Sequence, residues 1–213
     1  MAISIACLSQ KGGVGKSTLS RLIARTYAGA GWTVKICDFN TKQKTSVDWA
    51  ALRMSSQIAP EIAAEAFTNV KSALKQDFDL LVLDGRPDSD TTSLDCARGA
   101  AVTVIPTSVT FDDLKPQVLF AHELIAKGVD RRRVVFVLNR TGDSQAAIRD
   151  ARAYIESAGY FVLQHDLPAR TAYEIAQNSG YSVSETTFAT LKERADAIAG
   201  EIVDRVNELE KLV

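Results

Sequence analysis

The sequence predicts an α/β fold, a mostly parallel β-sheet with helices on both faces. Three observations predict it. Strand-length apolar runs alternate with helix-length amphipathic segments from end to end. Leu80, Leu81, Val82 and Leu83 form an unbroken apolar run, as a parallel strand covered on both faces requires. A glycine-rich turn, Gly12, Gly13, Val14 and Gly15, joins the first apolar run to the first helical segment.

Taken in order, Ile3–Leu8 reads as a buried first strand. Residues 17–30 carry Leu19, Leu22, Ile23 and Tyr27 at helical spacing, and Gly29 and Gly31 mark the end of that helix. Thr33–Asp38 is a second strand, and 45–55 a helix burying Val47, Trp49 and Leu52. An edge strand is placed near 61–65 and a short helix over 67–76. Strands follow at 79–84, 101–105, 134–138 and 160–163, with helices at 111–127 and 144–158. Two helices close the chain, near 171–178 and 187–211. The last repeats Leu191, Ala195, Ile198, Ile202, Val206 and Leu209 as one buried stripe.

Composition narrows the function classes. The 213 residues carry 25 Lys+Arg against 26 Asp+Glu, a net charge of -1, so overall charge does not make this a nucleic-acid coat. The hydrophobic share of 46% with 24% charged residues suits a globular protein with one sizeable core, and residues 1–213 read as a single domain. No run reaches the length of a membrane span and no signal-peptide pattern opens the chain, so a cytoplasmic protein is expected. Cys7, Cys37 and Cys96 are too few and too scattered for a disulfide framework or a metal site. His122 and His165 have no partner at metal-ligand spacing.

The chemistry concentrates in Lys11, Gly12, Gly13, Val14, Gly15, Lys16, Ser17 and Thr18, placed between a strand and a helix start. Glycines let the backbone wrap a phosphate chain and turn its N–H groups toward negative charge. Lys16 is expected on the β- and γ-phosphates, the Ser17 hydroxyl on Mg²⁺ and Thr18 on the α-phosphate. The common pattern G-x-x-x-x-G-K-[ST] fails at its first position, where Gln10 stands, and an additional lysine, Lys11, precedes the glycines.

With that extra lysine the loop resembles the deviant Walker A ATPases of the ParA/MinD group, and among them the short ParA-like proteins of plasmid and chromosome partition. Ser182, Val183, Ser184 and Glu185 are similar to the family's G-x-S-V-x-E segment. The resemblance implies a P-loop ATPase that sandwiches two ATP molecules between two subunits. In such a homodimer Lys11 would reach the partner's nucleotide. Asp84, ending its strand, would hold Mg²⁺ through water as a Walker B aspartate. Gly85 and Arg86 fall where the family senses the γ-phosphate: the Gly85 N–H is the natural contact, and Arg86 reads more simply as a surface arginine. Asn139 and Arg140 lie where the family meets the adenine edge, although an asparagine ending a strand is also an ordinary turn residue. Leu167, Pro168 and Arg170 resemble the I-P-x-R segment that runs past the base.

The second strand departs from the family. Where D-x-D-P is usual, this chain has Asp38, Phe39, Asn40 and Thr41. Asparagine can orient a water but cannot accept its proton or supply negative charge. Since phosphoryl transfer is mainly positioning and electrostatics, the change implies ATP binding with weak hydrolysis. Asp38 and Asn40 therefore join Lys11 and Lys16 as the residues expected to carry catalysis.

The resemblance also implies nonspecific DNA binding by the ATP dimer and a ParB-like adaptor that stimulates hydrolysis. Residues 115–152 hold eight Lys/Arg against four acidic residues, with Arg131, Arg132 and Arg133 the densest run. That run reads either as a DNA contact, joined by Arg170, Lys192 and Arg194, or as a solvated turn. The acidic closing helix argues against a membrane anchor. An alternative function keeps the nucleotide but not the turnover: an ATP-locked module tethering a protein or transfer-apparatus cargo.

Overall fold

A computed structural model describes residues 2–87 and 90–211. Its strands are β1 (Ile3–Cys7), β2 (Val34–Asp38), β3 (Ala63–Ala66), β4 (Leu80–Asp84), β5 (Val102–Thr107), β6 (Val134–Thr141), β7 (Phe161–Val162) and β8 (Leu167–Pro168). They form one sheet in the order β3-β2-β4-β1-β5-β6-β7, with β8 added to β6, and the pairings are parallel. The helices are α1 (Lys16–Gly29), α2 (Thr45–Ser55), α3 (Val70–Ala73), α4 (Thr91–Gly99), α5 (Phe111–Ala126), α6 (Gln145–Ser157), α7 (Thr171–Asn178) and α8 (Ala189–Glu210). The expected α/β class and parallel sheet are both present.

Alternation along β1 explains the three layers. Ile5 and Cys7 face a core shared with α1, α2 and α8, whereas Ala6 and Leu8 face a second core with α3 to α6. Successive side chains leave opposite faces of a strand, so a strand apolar at every position must be covered twice. The acidic α8 buries Ala195, Ile198, Ile202, Val206 and Leu209 against the first core, and so acts as a packing helix. No helix among the described residues is long and apolar enough to cross a membrane.

Three elements differ from the sequence expectation. The helix expected over 67–76 shrinks to α3, because the Phe67 N–H donates to the Asp38 carbonyl (2.9 Å) and Phe67 extends the sheet beside Phe39. Helix α4 was not expected. Its buried face is made of the small residues Ser93, Cys96 and Ala97, too weak a stripe to stand out, and its start is set by Asp90 accepting from the Ser93 N–H. Strand β8 was also not expected, since two residues carry no periodicity.

Registers position the site. Cys7 and Asp38 both sit level with Asp84, so three strand ends meet at one row on the carboxyl edge of the sheet. Ligands of open α/β sheets bind outside that edge.

Candidate functional site

The chain leaves β1 through a loop that ends in Gly15, whose φ of 101° lies in the left-handed region. A side chain there would meet the Asn139 Nδ2 at 1.8 Å, so the position excludes alanine on two grounds. Gly15 caps α1 without a side-chain hydrogen bond, and the first turn of α1 contains no acidic residue. The open N–H groups of that turn therefore face the cavity as an anion cradle.

Lys16 is 7% exposed. Its ammonium donates to the Ser9 hydroxyl at 2.9 Å and to the Lys11 carbonyl at 3.5 Å. Burial holds its pKa below the ordinary lysine value, with the nearby Asp84 opposing the shift. A desolvated cation with neutral partners is strongly attracted to an incoming anion.

Asp84 is equally informative. It is buried, and its Oδ2 accepts from the Ser46 hydroxyl at 2.6 Å while its Oδ1 has no hydrogen-bond partner among the described residues. Burial raises its pKa, the Ser46 hydroxyl opposes that, and the facing Asp38 reinforces it. An orphaned buried carboxylate oxygen beside the Ser17 hydroxyl, on one cavity of about 340 Å³, fits a hard cation with oxygen ligands. Ser17 and Asp84 are thus suited to hold Mg²⁺. No cluster of three or more His, Cys, Asp or Glu suited to a metal occurs among the described residues.

The CobQ/CobB/MinD/ParA nucleotide-binding domain model matches residues 5–183. The chain belongs to that family. No curated protein sequence matches it significantly. Among solved structures, the cell division ATPase MinD of Pyrococcus furiosus superposes with a TM-score of 0.69 at 17% identity, covering 100% of both chains. The septum site-determining protein MinD of Pyrococcus horikoshii, complexed with Mg-ADP, gives 0.71 at 14% identity over 95% of this chain and 96% of that one. A putative plasmid partition protein of Borrelia burgdorferi bound to AMPPNP gives 0.71 at 15% identity, over 96% and 100%. The fold is that of the MinD/ParA nucleotide-binding domain.

Within this MinD/ParA-type cavity, several residues take places the sequence does not disclose. Asp38 lies behind the wall: its two oxygens accept from the N–H groups of Asn40 (2.9 Å) and Ser46 (3.0 Å), which fixes the loop and caps α2. Asn40 lines the cavity, with its amide donating to the Gln43 Oε1 at 2.9 Å. The Gly85 N–H, expected on the γ-phosphate, donates to the Cys7 carbonyl at 3.0 Å. Gly85 lines the cavity while its N–H continues the β1–β4 ladder, and a Cβ there would lie 2.5 Å from Leu8. Arg86 is exposed and pairs with Asp90, in keeping with its reading as a surface arginine.

At the far end of the cavity Asn139, Arg140 and Pro168 form a wall. The Asn139 amide donates to the Val14 carbonyl at 2.7 Å, and the Arg140 guanidinium donates to the Gly13 carbonyl at 3.0 Å. Both residues brace the phosphate loop from outside. Gly12 and Val14 do not line the cavity, whereas Gly13, Gly15, Lys16, Ser17 and Thr18 do. Lys11 points outward and pairs with Asp113 on α5.

Arg21, Thr45 and Gln177 also line the cavity and were missed by sequence reasoning. The Arg21 guanidinium donates to the Thr45 carbonyl at 2.7 Å and lies 5.4 Å from the centre of the Trp49 ring. Only Arg21 carried a signal, standing four residues after Ser17 on the same helix face.

The tri-arginine run sits at the amino end of β6, the opposite end of the sheet from the cavity. There Arg131 donates to the Ala158 carbonyl and stacks on Tyr160, and Arg132 pairs with Asp130. Arg170 and Arg194 pair with Asp143 and Asp166.

Proposed function

We propose that this protein is a ParA-like ATP switch. It binds ATP with Mg²⁺, dimerises in that state, binds DNA nonspecifically as a dimer, and is released by slow hydrolysis that a ParB-like adaptor stimulates. The observation that carries the reading is the convergence of the buried Lys16 ammonium and the orphaned Asp84 oxygen on one glycine-walled cavity. In the Michaelis complex Lys16 and the N–H groups of the α1 first turn would hold the phosphates, and Asn40 would orient the attacking water. Bound Mg²⁺ would offset charge on the phosphates, held through Ser17 and Asp84. Asn139, Arg140 and Pro168 would flank the base. Lys11, already on the outer surface, would act on the partner's nucleotide.

Gel filtration in ADP and in ATP tests the central step. ATP alone is expected to give a dimer, and Lys11→Ala to bind ATP yet stay monomeric. The ATP form is expected to bind DNA with an affinity that falls steeply across a salt series. Lys115 and Arg149, exposed on neighbouring helices and without an acidic partner among the described residues, are better candidates for that contact than the engaged tri-arginine run. Absence of an ATP-specific dimer would overturn the switch.

The Asn40–Gln43 amide clasp favours a second reading, in which the ATP dimer is long-lived and tethers a protein or transfer-apparatus cargo. With Asn40→Asp, turnover is expected to rise about tenfold, the low end of general-base effects. In this second reading the clasped Asn40 does not help the water, so Asn40→Ala is expected to leave turnover unchanged, whereas a fall in Asn40→Ala would favour the water-orienting role of the first reading. A wild-type rate normal for such ATPases, with no gain in Asn40→Asp, would show that the substitution is not what limits hydrolysis.

A further inference from the structure

The first turn of α2 brings a second hydroxyl to the proposed cation position. Thr45 Oγ1 lies 3.3 Å from Ser17 Oγ, although the two residues come from different helices. Asp84, whose Oδ1 has no hydrogen-bond partner among the described residues, lines the same cavity. Two oxygens occupying adjacent corners of a Mg²⁺ octahedron with bonds of about 2.0–2.1 Å lie about 2.9 Å apart. The observed hydroxyl pair needs only a few tenths of an ångström of closure to meet that spacing.

Thr45 is not in this position by chance of a mobile loop. The preceding Lys44 has a φ of 49°, so the chain turns sharply into α2 at this point. The Thr45 carbonyl accepts from Arg21. The next residue is bound on both sides, the Ser46 N–H donating to Asp38 and the Ser46 hydroxyl to Asp84. The segment that departs from the D-x-D-P pattern is therefore clamped to the strand end that carries Asp84. Among the described residues the Thr45 hydroxyl has no hydrogen-bond partner besides Ser17, whose hydroxyl also lies against the Asp84 carboxylate.

We infer that Thr45 is a second hydroxyl ligand of the nucleotide-bound divalent cation, alongside Ser17, so that cation binding locks α2 onto the phosphate loop. This rests on the nucleotide reading above and adds a residue to it. Through Thr45 the 39–46 segment would sense the loaded site without the aspartate that Asn40 replaces.

The test measures binding of a fluorescent N-methylanthraniloyl ATP, with Mg²⁺ and with EDTA. Thr45→Ala is expected to lose about fivefold to tenfold of the affinity that Mg²⁺ adds, while its affinity in EDTA stays at the wild-type value. Thr45→Ser, which restores the hydroxyl, is expected to recover the Mg²⁺ gain, and Thr45→Val, which keeps the shape, is expected not to. A full Mg²⁺ gain in Thr45→Ala overturns the inference, as does an equal loss with and without Mg²⁺. A wild-type chain that binds the probe in neither condition sinks the nucleotide reading and this inference together. Wild-type binding with a gain that is indifferent to residue 45 sinks this inference alone.

Discussion

Lys16→Met is expected to weaken ATP binding by at least about 50-fold while leaving the nucleotide-free protein as stable as the wild type or more so. A hydrogen bond to a charged group is worth about 1.5–3 kcal/mol, and a phosphate bound by a desolvated ammonium lies at the upper end of that range. The stability half of the expectation follows from burial. The Lys16 ammonium has left water for a hydroxyl and a carbonyl, and its lowered pKa records that the charge is disfavoured there. Methionine fills the same space without that cost. Isothermal titration with ATP reads the first half, and thermal melts with and without ATP read the second. A variant that melts as wild type without nucleotide and gains nothing from ATP fits this account. A variant that keeps wild-type affinity would remove Lys16 from the site.

Arg53→Ala is expected to cost about 3–5 kcal/mol of stability, the penalty for leaving one partner of a buried ion pair behind. Arg53 is 1% exposed and makes a two-pronged contact with Glu185, at 2.7 and 3.0 Å. It also donates to the carbonyls of Ala59, Pro60 and Gly180, tying α2 to the segment before α8. Urea denaturation measures the loss, and Arg53→Lys is expected to recover only part of it, because a point charge cannot make the fork. The pair also predicts a pH dependence. Burial by itself raises the Glu185 pKa, but the Arg53 fork and the Ser182 N–H more than reverse this and leave it lowered. A carboxylate lowered on folding gives its full stabilisation above its unfolded value near 4.5 and loses it as pH falls through the folded value. Wild-type stability should therefore fall on acidification below about pH 4.5 more steeply than that of Arg53→Ala. Parallel curves for the two proteins would contradict the assignment.

The two arginines near Trp49 show where sequence reading stops. Trp49 was legible as a buried residue of α2 from its spacing. That Arg21 lies over its ring, at 5.4 Å, was not, because Arg21 comes from α1 and the contact depends on how the helices cross. Arg53, by contrast, stands four residues on along α2 and reaches the ring at 5.6 Å by helix spacing alone. Glu185 was legible only as part of a family-like segment. Its task, capping the Ser182 turn while neutralising Arg53, appears once both ends are placed. Helix α4 escaped for a different reason, since small buried residues give a periodic pattern little amplitude.

What the sequence determined by itself was local and contiguous. The apolar runs set a parallel sheet covered on both faces, and the loop from Lys11 to Thr18 set an anion site at the start of α1. Such features need only neighbours in the chain, since backbone conformation and strand alternation are local properties. The tertiary structure decided which polar group meets which. It drew the Gly85 N–H into the sheet, turned the Asn139 amide onto Val14, left one Asp84 oxygen open and set Thr45 beside Ser17. A buried donor or acceptor must be paired, and the same donor types occur throughout the chain. Only the packing of strands and helices chooses among the partners, and in this protein it is that choice that shapes the site.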